Sequence, residues 1–381
     1  MLFFSSIFFL SLFLIFYTQM GYPLLLHLII AWRGEKQVKK EAITPFVTLL
    51  IPAHNEAKVI GEKIENSLNL DYPKKKLQIL VASDGSTDGT DEIVKSYQGQ
   101  EVSLSINRGI RGKISAINNA VPAAKGEIIV FSDAAEMYQP DALKQLVKNY
   151  ADPEVGCVSG ETRTVYESDT SVGKSVSSYW KYEYYLKQLE CAASGTTLGA
   201  AGAIYSVRKE LYPYPPNYII ADDLVIPLKV IEQGYRVISD PEAIAIERVN
   251  QAQVEFGRRV RNIAANYQAL SYLDGFLNPF KRGLISIEYI SHKFFRVLLP
   301  FFVLAVLISN LCLLHILLFK ILFIGQILFY LSGALGWLFQ GLGKKIKIFQ
   351  FPYFFCVANL AALVGFFKYL FGTQKTAWKG N

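Results

Sequence analysis

The most constraining feature of this sequence is a long run without charge at its start. No Asp, Glu, Lys or Arg occurs from residue 2 to residue 32, and Pro23 is the main irregularity. About 20 consecutive apolar residues are enough to cross a bilayer as a helix. A cleaved signal peptide is the alternative, but its apolar core is shorter and a small-residue cleavage site would follow it. The run therefore predicts an uncleaved N-terminal transmembrane helix at residues 1–32.

Three more apolar runs, near the C-terminus, extend the membrane prediction. They cover residues 297–319, 321–339 and 349–371, and a short link at Lys320 favours a hairpin between the first two. With 51% hydrophobic residues, the chain is more apolar than an ordinary soluble protein. The sequence thus predicts four spans, the last three in a C-terminal membrane region at residues 293–372.

Basic residues beside the predicted spans indicate an orientation, because cytoplasmic flanks are enriched in Lys and Arg. One cluster follows the first span, one precedes the second, and one lies between the third and fourth. With four spans, all three clusters fall on one side, which is then cytoplasmic, and three lysines near the C-terminus fall on the other. The three clusters are Arg33, Lys36, Lys39 and Lys40; Lys281, Arg282, Lys293 and Arg296; and Lys344, Lys345 and Lys347. The sequence predicts a multi-pass cell-membrane protein with a cytoplasmic polar domain.

The formal net charge of +7 does not indicate nucleic-acid binding. Most of the excess lies next to the predicted spans, where it would meet anionic membrane lipids. The four cysteines, Cys157, Cys191, Cys312 and Cys356, have no ligand-like spacing. Neither a zinc site nor a disulfide framework is therefore predicted.

Residues 45–275 form one large polar domain whose first half alternates strand and helix patterns. Strands are predicted at 46–51, 77–82, 102–106 and 128–131. Helices are predicted between them, at 56–70, from Thr87 onward, and at 113–121. Such alternation is typical of an α/β fold with a mainly parallel sheet that is covered on both faces.

Polar or glycine-rich loops follow all four predicted strands. Their sequences are PAHNE (52–56), SDGSTDGT (83–90), NRGIRGK (107–113) and SDAAE (132–136). Each loop alone could be an ordinary turn or helix cap. Parallel strands, however, place their carboxyl ends at one edge of the sheet, where ligands of such folds bind. Backbone N–H groups at helix starts and a nearby Lys suit a phosphate-bearing ligand, although neither common phosphate-loop pattern follows a strand.

Several segments in this order resemble membrane-anchored bacterial family-2 glycosyltransferases of the GT-A fold. They include TLLIPAHNEAKVIGEKIENSL, VASDGSTDGTDEIV, RGKISAINNA, GAIYSVRKELY, ADDLVIPLKVIEQGYRVISDPEAIAIE, EFGRRVRNIAANYQAL and SHKFFRVLLPF. The resemblance covers nearly the whole chain. It implies inverting transfer of a hexose from a nucleotide-activated sugar.

The resemblance also assigns residues to a nucleotide pocket. Pro52, Ala53, Asn55 and Glu56 would line it, and Asp84 would hydrogen-bond the base. Uracil is the usual base in that family, so the implied donor is a UDP-sugar.

The remaining implied roles are catalytic. Lys113 would lie near the diphosphate, and Asp133 matches the first carboxylate of the family's Asp-x-Asp metal motif. Asp223 matches the general base and Asp222 the acidic residue before it, although both could simply cap a helix. A divalent cation, Mg²⁺ or Mn²⁺, would stabilise the charge that develops on the leaving diphosphate. In this sequence Ala135 stands where the motif has its second Asp. The next acidic residue, Glu136, follows one position later.

The segment RRVRN (258–262) departs from the Gln-x-x-Arg-Trp motif of processive synthases. Arg261 is kept, but Asn262 stands in the place of Trp. We expect Arg258 and Arg261 to meet an acceptor, a diphosphate or lipid headgroups from an interfacial helix at 254–270. A solvated face of that helix is the alternative.

The sequence therefore predicts sugar transfer to a lipid-linked or glycan acceptor at the cytoplasmic membrane face, in cell-surface or exopolysaccharide synthesis. A polyprenyl-phosphate glycosyltransferase is one alternative. A non-catalytic relative that binds nucleotide sugar, or serves as a scaffold, is another, and the missing metal carboxylate is the feature that favours it.

Overall fold

The computed structural model describes residues 1–166, 171–249, 255–342 and 346–374. The chain divides into two compact units. One is helical and is built from the two ends of the chain. The other is an α/β unit built from its middle.

The strands all belong to the α/β unit. In chain order they are β1 Val47–Ala53, β2 Leu77–Ser83, β3 Val102–Ile106, β4 Ile128–Phe131, β5 Glu136–Tyr138, β6 Val155–Tyr166, β7 Tyr205–Arg208 and β8 Arg236–Val249.

The helices alternate with the strands in the middle of the chain and dominate its ends. They are α1 Leu2–Phe16, α2 Tyr22–Arg33, α3 Ile60–Leu68, α4 Thr90–Ser96, α5 Lys113–Ala120, α6 Ala142–Val147, α7 Ser171–Ser194, α8 Asp222–Glu232, α9 Glu255–Tyr272, α10 Pro279–Arg282, α11 Leu284–Tyr289, α12 Phe295–Cys312, α13 Leu317–Gly341 and α14 Lys347–Leu370.

A single sheet organises the α/β unit, with strand order β3-β2-β1-β4-β7-β6-β8-β5. Strands β1 to β4 are parallel, and β6 is parallel to β8. Strand β7 is antiparallel to β4 and β6, and β5 is antiparallel to β8. The prediction of an α/β fold with a mainly parallel sheet is confirmed, and the four predicted strands are β1 to β4.

The sequence of β1 explains its place at the centre of the parallel strands. Every residue of β1 and β2 is buried, as expected for strands that are covered on both faces. Two polar residues among them, Thr48 and Gln78, are bonded to each other. The Thr48 hydroxyl donates to the Gln78 side-chain oxygen at 2.8 Å and accepts from the Gly126 N–H at 2.8 Å. Thr48 and Gln78 therefore satisfy each other between these two strands.

The described part of the chain contains four helices that are long and apolar enough to cross a membrane. They are Leu2–Arg33, Leu284–Cys312, Leu317–Gly341 and Lys347–Leu370. The first is continuous because a π-helical turn at Tyr17–Gly21 joins α1 to α2 just before Pro23, which cannot donate an intrahelical hydrogen bond. The prediction of one N-terminal and three C-terminal candidate spans is confirmed.

The predicted hairpin link was misplaced. Lys320 lies inside α13, and the chain turns instead at residues 313–316. A single Lys near the end of an apolar helix is compatible with the helix continuing, because its long stem lets the charge reach the membrane surface. Charge alone was therefore a poor marker of this turn.

Helix α9, predicted as interfacial, belongs to the helical unit and packs along α14. The contact is close because it is made by small residues. A side-chain carbon added at Gly365 would lie 3.0 Å from the Val260 carbonyl oxygen. Ala264 and Ala361 are also buried.

The close approach at Gly126 generates a stability prediction. A Cβ there would lie 2.3 Å from the Thr48 backbone nitrogen, so Gly126→Ala must displace β1 from β4. We expect the variant to lose about 1–3 kcal/mol, measured as a lower thermal unfolding midpoint of the purified full-length protein. Gly61→Ala is the matched control, because its Cβ would meet nothing closer than 3.8 Å in a helix and should stabilise by up to about 1 kcal/mol. Equal midpoints for both variants would contradict this account.

Candidate active site

The loop after β1 is cross-linked to the loop after β2. Asn55 has a left-handed backbone with φ of 56°, a conformation that Asn tolerates better than most residues. Its side-chain oxygen accepts from the Thr87 N–H at 2.8 Å, and its own N–H donates to the Ser86 hydroxyl at 3.1 Å. The Glu56 N–H donates to the Thr90 hydroxyl at 2.9 Å. Pro52 and Ala53, the last residues of β1, are buried beside them. The predicted nucleotide-pocket residues therefore share one cross-linked edge.

Asp84 lies at the same edge but faces inward. Its side chain is enclosed by the protein, accepting from the Asn107 amide at 2.8 Å and from the Gly112 N–H at 2.8 Å. Arg111 donates to the backbone carbonyls of Asp84 and Gly85. Asp84 thus ties the loop after β2 to the start of α5. Its predicted role in binding the base stays a prediction.

Lys113 is the first residue of α5 and lies between two carboxylates. Gly112 before it has φ of 144°, which lets the chain turn sharply into the helix. The Lys113 ammonium is 2.8 Å from Asp133 and 3.3 Å from Asp222. Burial would lower the pKa of Lys113, but these carboxylates outweigh burial and hold the pKa above its usual value. The ammonium is therefore a permanent positive charge at this edge.

Asp222 and Asp223 form the first turn of α8. Asp222 is buried, and its carboxylate accepts from the Tyr205 hydroxyl at 3.1 Å in addition to the Lys113 contact. Burial and the neighbouring Asp222 carboxylate raise the pKa of Asp223 to about 6. Gly202 lies against the Asp223 carboxylate, since a Cβ there would be 3.2 Å from its Oδ2 atom. Asp222 is thus held by neighbours, whereas Asp223 has a pKa suited to accepting a proton near neutrality.

Asp133 lies on the turn between β4 and β5, Glu136 is the first residue of β5, and the two differ in exposure. The Asp133 side chain is 36% exposed and faces Lys113. Glu136 is buried, and its Oε2 atom has no hydrogen-bond partner. Burial, and next the Asp133 carboxylate, raise the pKa of Glu136 to about 8. Asp133 is therefore the better placed of the two to meet a ligand.

The donor set fits a cation that binds together with a phosphate ligand. Within the described ranges, no three His, Cys, Asp or Glu side chains converge as a metal cage. Mg²⁺ and Mn²⁺ prefer oxygen ligands, and Mg²⁺ sites commonly use one or two carboxylates plus substrate phosphates and water. Asp133 can supply such a carboxylate.

Lys63 was missed by the sequence reasoning. It lies on α3 and is fully buried, and its ammonium donates to the Glu136 carbonyl oxygen at 2.5 Å. Burial lowers the pKa of Lys63 to about 7 against the opposing pull of the Glu136 and Asp133 carboxylates. A signal was available, because Lys63 stands with Ile60 and Ile64 on the apolar face of a helix, where a charged residue is unusual.

The predicted arginines lie in the helical unit. Arg258 and Arg261 are both part of α9, where Arg261 is half-buried and the Arg258 side chain lies outside the described residues. The guanidinium of their neighbour Arg259 lies 4.5 Å from the ring centroid of Phe354. The acceptor or diphosphate role of Arg258 and Arg261 remains a prediction.

Comparison with known proteins finds similar sequences and a similar solved structure. Residues 48–213 match the family model Glycosyl transferase family 2. The chain is 27% identical over 278 residues to a probable glycosyltransferase (YdaM) of Bacillus subtilis strain 168, covering 70% of this chain and 65% of that protein. It is 25% identical over 208 residues to the poly-beta-1,6-N-acetyl-D-glucosamine synthase of Staphylococcus aureus strain COL, covering 52% and 48%. The matched region thus spans about half to two-thirds of the length of these curated relatives.

Among solved structures, the chain resembles a mannosyltransferase (PcManGT) of Pyrobaculum calidifontis, determined in complex with GDP-Man and Mn²⁺. The TM-score is 0.70 at 23% identity, over 96% of this chain and 99% of that one. This similarity confirms the predicted GT-A fold, and the family match confirms the resemblance noted in the sequence.

Proposed function

We propose that this chain, which carries a glycosyl transferase family 2 domain at residues 48–213, is an inverting transferase. It takes a hexose from a nucleotide-activated donor, a UDP-sugar, and transfers it to a lipid-linked or glycan acceptor. The reaction takes place at the cytoplasmic face of the cell membrane and serves cell-surface or exopolysaccharide synthesis.

The observation that carries this proposal is the convergence at the C-terminal edge of the parallel strands. Lys113 lies within 3.3 Å of both Asp133 and Asp222, and Asp223 follows Asp222 in the same helical turn. Three separate segments thus contribute the groups of the site. Lys113 supplies a fixed positive charge, Asp133 an exposed carboxylate and Asp223 a carboxylate of raised pKa. These are the groups that transfer of a sugar from a diphosphate requires.

The proposed chemistry divides the work among these groups. The acceptor hydroxyl attacks the anomeric carbon while the nucleoside diphosphate departs from the opposite face, and Asp223 removes the hydroxyl proton. Lys113 stabilises the negative charge that develops on the departing diphosphate. Asp222 acts through its contacts, holding Lys113 in place and raising the pKa of Asp223.

The proposed donor pocket lies beside this group. Pro52, Ala53, Asn55 and Glu56 would line the nucleotide, and Asp84 would bind the base and hold Gly112 at the start of α5. A divalent cation, Mg²⁺ or Mn²⁺, would be held by Asp133 and would neutralise diphosphate charge when bound. Because Glu136 is buried, it is not proposed as a ligand.

The base role of Asp223 predicts both a loss of rate and a pH dependence. Asp223→Asn should lower turnover about 10²–10⁴-fold while leaving nucleotide binding nearly intact. In the wild type, Asp223 must be ionised to act, so turnover should fall as the pH drops through about 6. Release of nucleoside diphosphate from a panel of nucleotide sugars, measured against pH with membranes and Mn²⁺ or Mg²⁺, checks both.

Asp222→Asn is the informative contrast. It removes the neighbouring negative charge, so the acidic limb of the pH profile should move to lower pH. Turnover of Asp223→Asn within a few-fold of wild type would remove Asp223 from the base role. No turnover of any nucleotide sugar by the wild type would favour a non-catalytic binding protein.

The metal role of Asp133 predicts a difference between two neighbouring acids. Asp133→Ala should abolish the gain in uridine diphosphate affinity that Mn²⁺ provides, because the exposed carboxylate is lost. Glu136→Ala should have little effect on that gain, because Glu136 is buried and its pKa is raised to about 8. Calorimetric titration of uridine diphosphate with and without Mn²⁺ distinguishes them. The reverse pattern would move the cation to Glu136.

The proposed orientation can be tested by cysteine labelling in cells. Ser96→Cys, on an exposed position of the α/β unit, should react with an impermeant thiol reagent only after permeabilisation. His315→Cys, in the exposed turn between α12 and α13, should react in intact cells and is the matched control. Both variants need Cys312→Ser and Cys356→Ser to silence the native thiols of the helical unit. Labelling of Ser96→Cys in intact cells would reverse the topology and overturn a cytoplasmic donor.

A further inference from the structure

The turn that carries Asp133 is held from one side by helix α3. The Lys63 ammonium donates to the carbonyl oxygen of Glu136 at 2.5 Å. One turn further along α3, the Asn66 amide makes two hydrogen bonds with the backbone of Tyr138. It donates to the Tyr138 carbonyl at 3.0 Å and accepts from the Tyr138 N–H at 2.8 Å.

The base of the same turn is closed by Tyr138. Its hydroxyl donates to the Phe131 carbonyl at 2.8 Å, across the turn from β5 to the end of β4. The Ser132 N–H donates to the Leu50 carbonyl at 3.1 Å, which continues the ladder toward β1. The Lys63 ammonium also lies 4.2 Å from the centroid of the Tyr138 ring. Asp133 is therefore carried on a short turn whose two ends are both fixed.

The other end of α3 begins at the proposed nucleotide pocket. The Ile60 N–H donates to the Glu56 carbonyl at 2.9 Å, so the first turn of the helix continues directly from the loop after β1. The Glu56 N–H itself donates to the hydroxyl of Thr90, the first residue of α4 after β2. A single rigid helix thus links the nucleotide loops at its start to the Asp133 turn along its length.

Lys63 is a costly choice for packing alone. Burying an ammonium carries a desolvation penalty, and replacing a buried charged pair by an apolar side chain is often neutral or stabilising. Its amino group contacts a carbonyl oxygen and an aromatic ring of β5, the strand that directly follows the Asp133 turn. The hydrogen bond from the Lys63 amino group fixes the position of that backbone carbonyl, whereas an apolar side chain would leave the buried oxygen without a donor.

We propose that Lys63 and Asn66 are positioning residues that hold the Asp133 turn in register with the nucleotide loops, so that cation binding and nucleotide binding reinforce each other. This inference rests on the proposed function, since it concerns the same donor site. The coupling is measured by the ratio of uridine diphosphate affinities with and without Mn²⁺, because each ligand raises the affinity for the other by the same factor.

The test is calorimetric titration of uridine diphosphate into the full-length protein, with and without Mn²⁺. Lys63→Met keeps the length of the stem and removes the donor. We expect the affinity ratio to fall about tenfold, in line with the cost of leaving the buried Glu136 carbonyl without its hydrogen-bond donor. Affinity without Mn²⁺ should stay within about twofold of wild type, because the nucleotide loops are untouched. Lys95→Met, at an exposed position on α4, is the matched control and should change neither value.

Asn66→Ala supplies a second variant in case Lys63→Met does not fold. Asn66 is only half-buried, and its loss should lower the same ratio, whereas Asn69→Ala at the exposed end of the helix should not. In an Asp133→Ala background, Lys63→Met should cause no further loss, because there is no carboxylate left to position.

The outcomes separate the two levels of the proposal. If Lys63→Met and Asn66→Ala both show the same ratio of uridine diphosphate affinities with and without Mn²⁺ as the wild type, the positioning role is overturned. The proposed function then stays in place. An equal loss of affinity with and without Mn²⁺ also overturns it, because that result is general damage to the pocket. A wild type whose nucleotide affinity does not depend on Mn²⁺ overturns the cation part of the proposed function and this inference together.

Discussion

The site depends on one interaction, the contact of the Lys113 ammonium with the carboxylates of Asp133 and Asp222. These acids come from a turn after β4 and from the start of α8, which are far apart in the chain. Without a cation between them, the negative charges of Asp133 and Asp222 would repel each other at this edge. Lys113 therefore links the two segments through its ion pairs, and it also places a positive charge in the site before any ligand binds.

The surrounding loops are arranged so that this charge has a fixed position. Asp84 accepts from the Gly112 N–H at the start of α5, and Asn55 accepts from the Thr87 N–H in the loop after β2. Each bond joins two different strand ends. An electrostatic site is effective when its groups do not reorganise on binding, and cross-linked loops at the edge of a rigid sheet provide that condition.

Much of this arrangement could be predicted from the sequence, because it follows from local patterns. Continuous apolar runs predicted β1 to β4. The polar loops that follow these strands predicted the edge of the sheet at which the site lies. Contacts between residues far apart in the chain could not be predicted in this way. Nothing in the pattern showed that the Asp84 carboxylate is enclosed by Asn107 and Gly112, or that Glu136 points inward. Both facts depend on how separate loops pack, which no local periodicity encodes. The turn at 313–316 was misplaced for a related reason, since a lysine can stay within a helix when its charge reaches polar surroundings.

The pairing of Asn66 with Tyr138 has a consequence for the sheet as a whole. Strand β5 has only three residues and is the last strand in the order, so no other described strand pairs with one side of its backbone. An open border of this kind is a template on which another polypeptide can add by backbone hydrogen bonding. The Asn66 amide presents one donor and one acceptor to that border, as a peptide group would. The side chain thereby occupies backbone groups of β5 that an added strand would need for pairing.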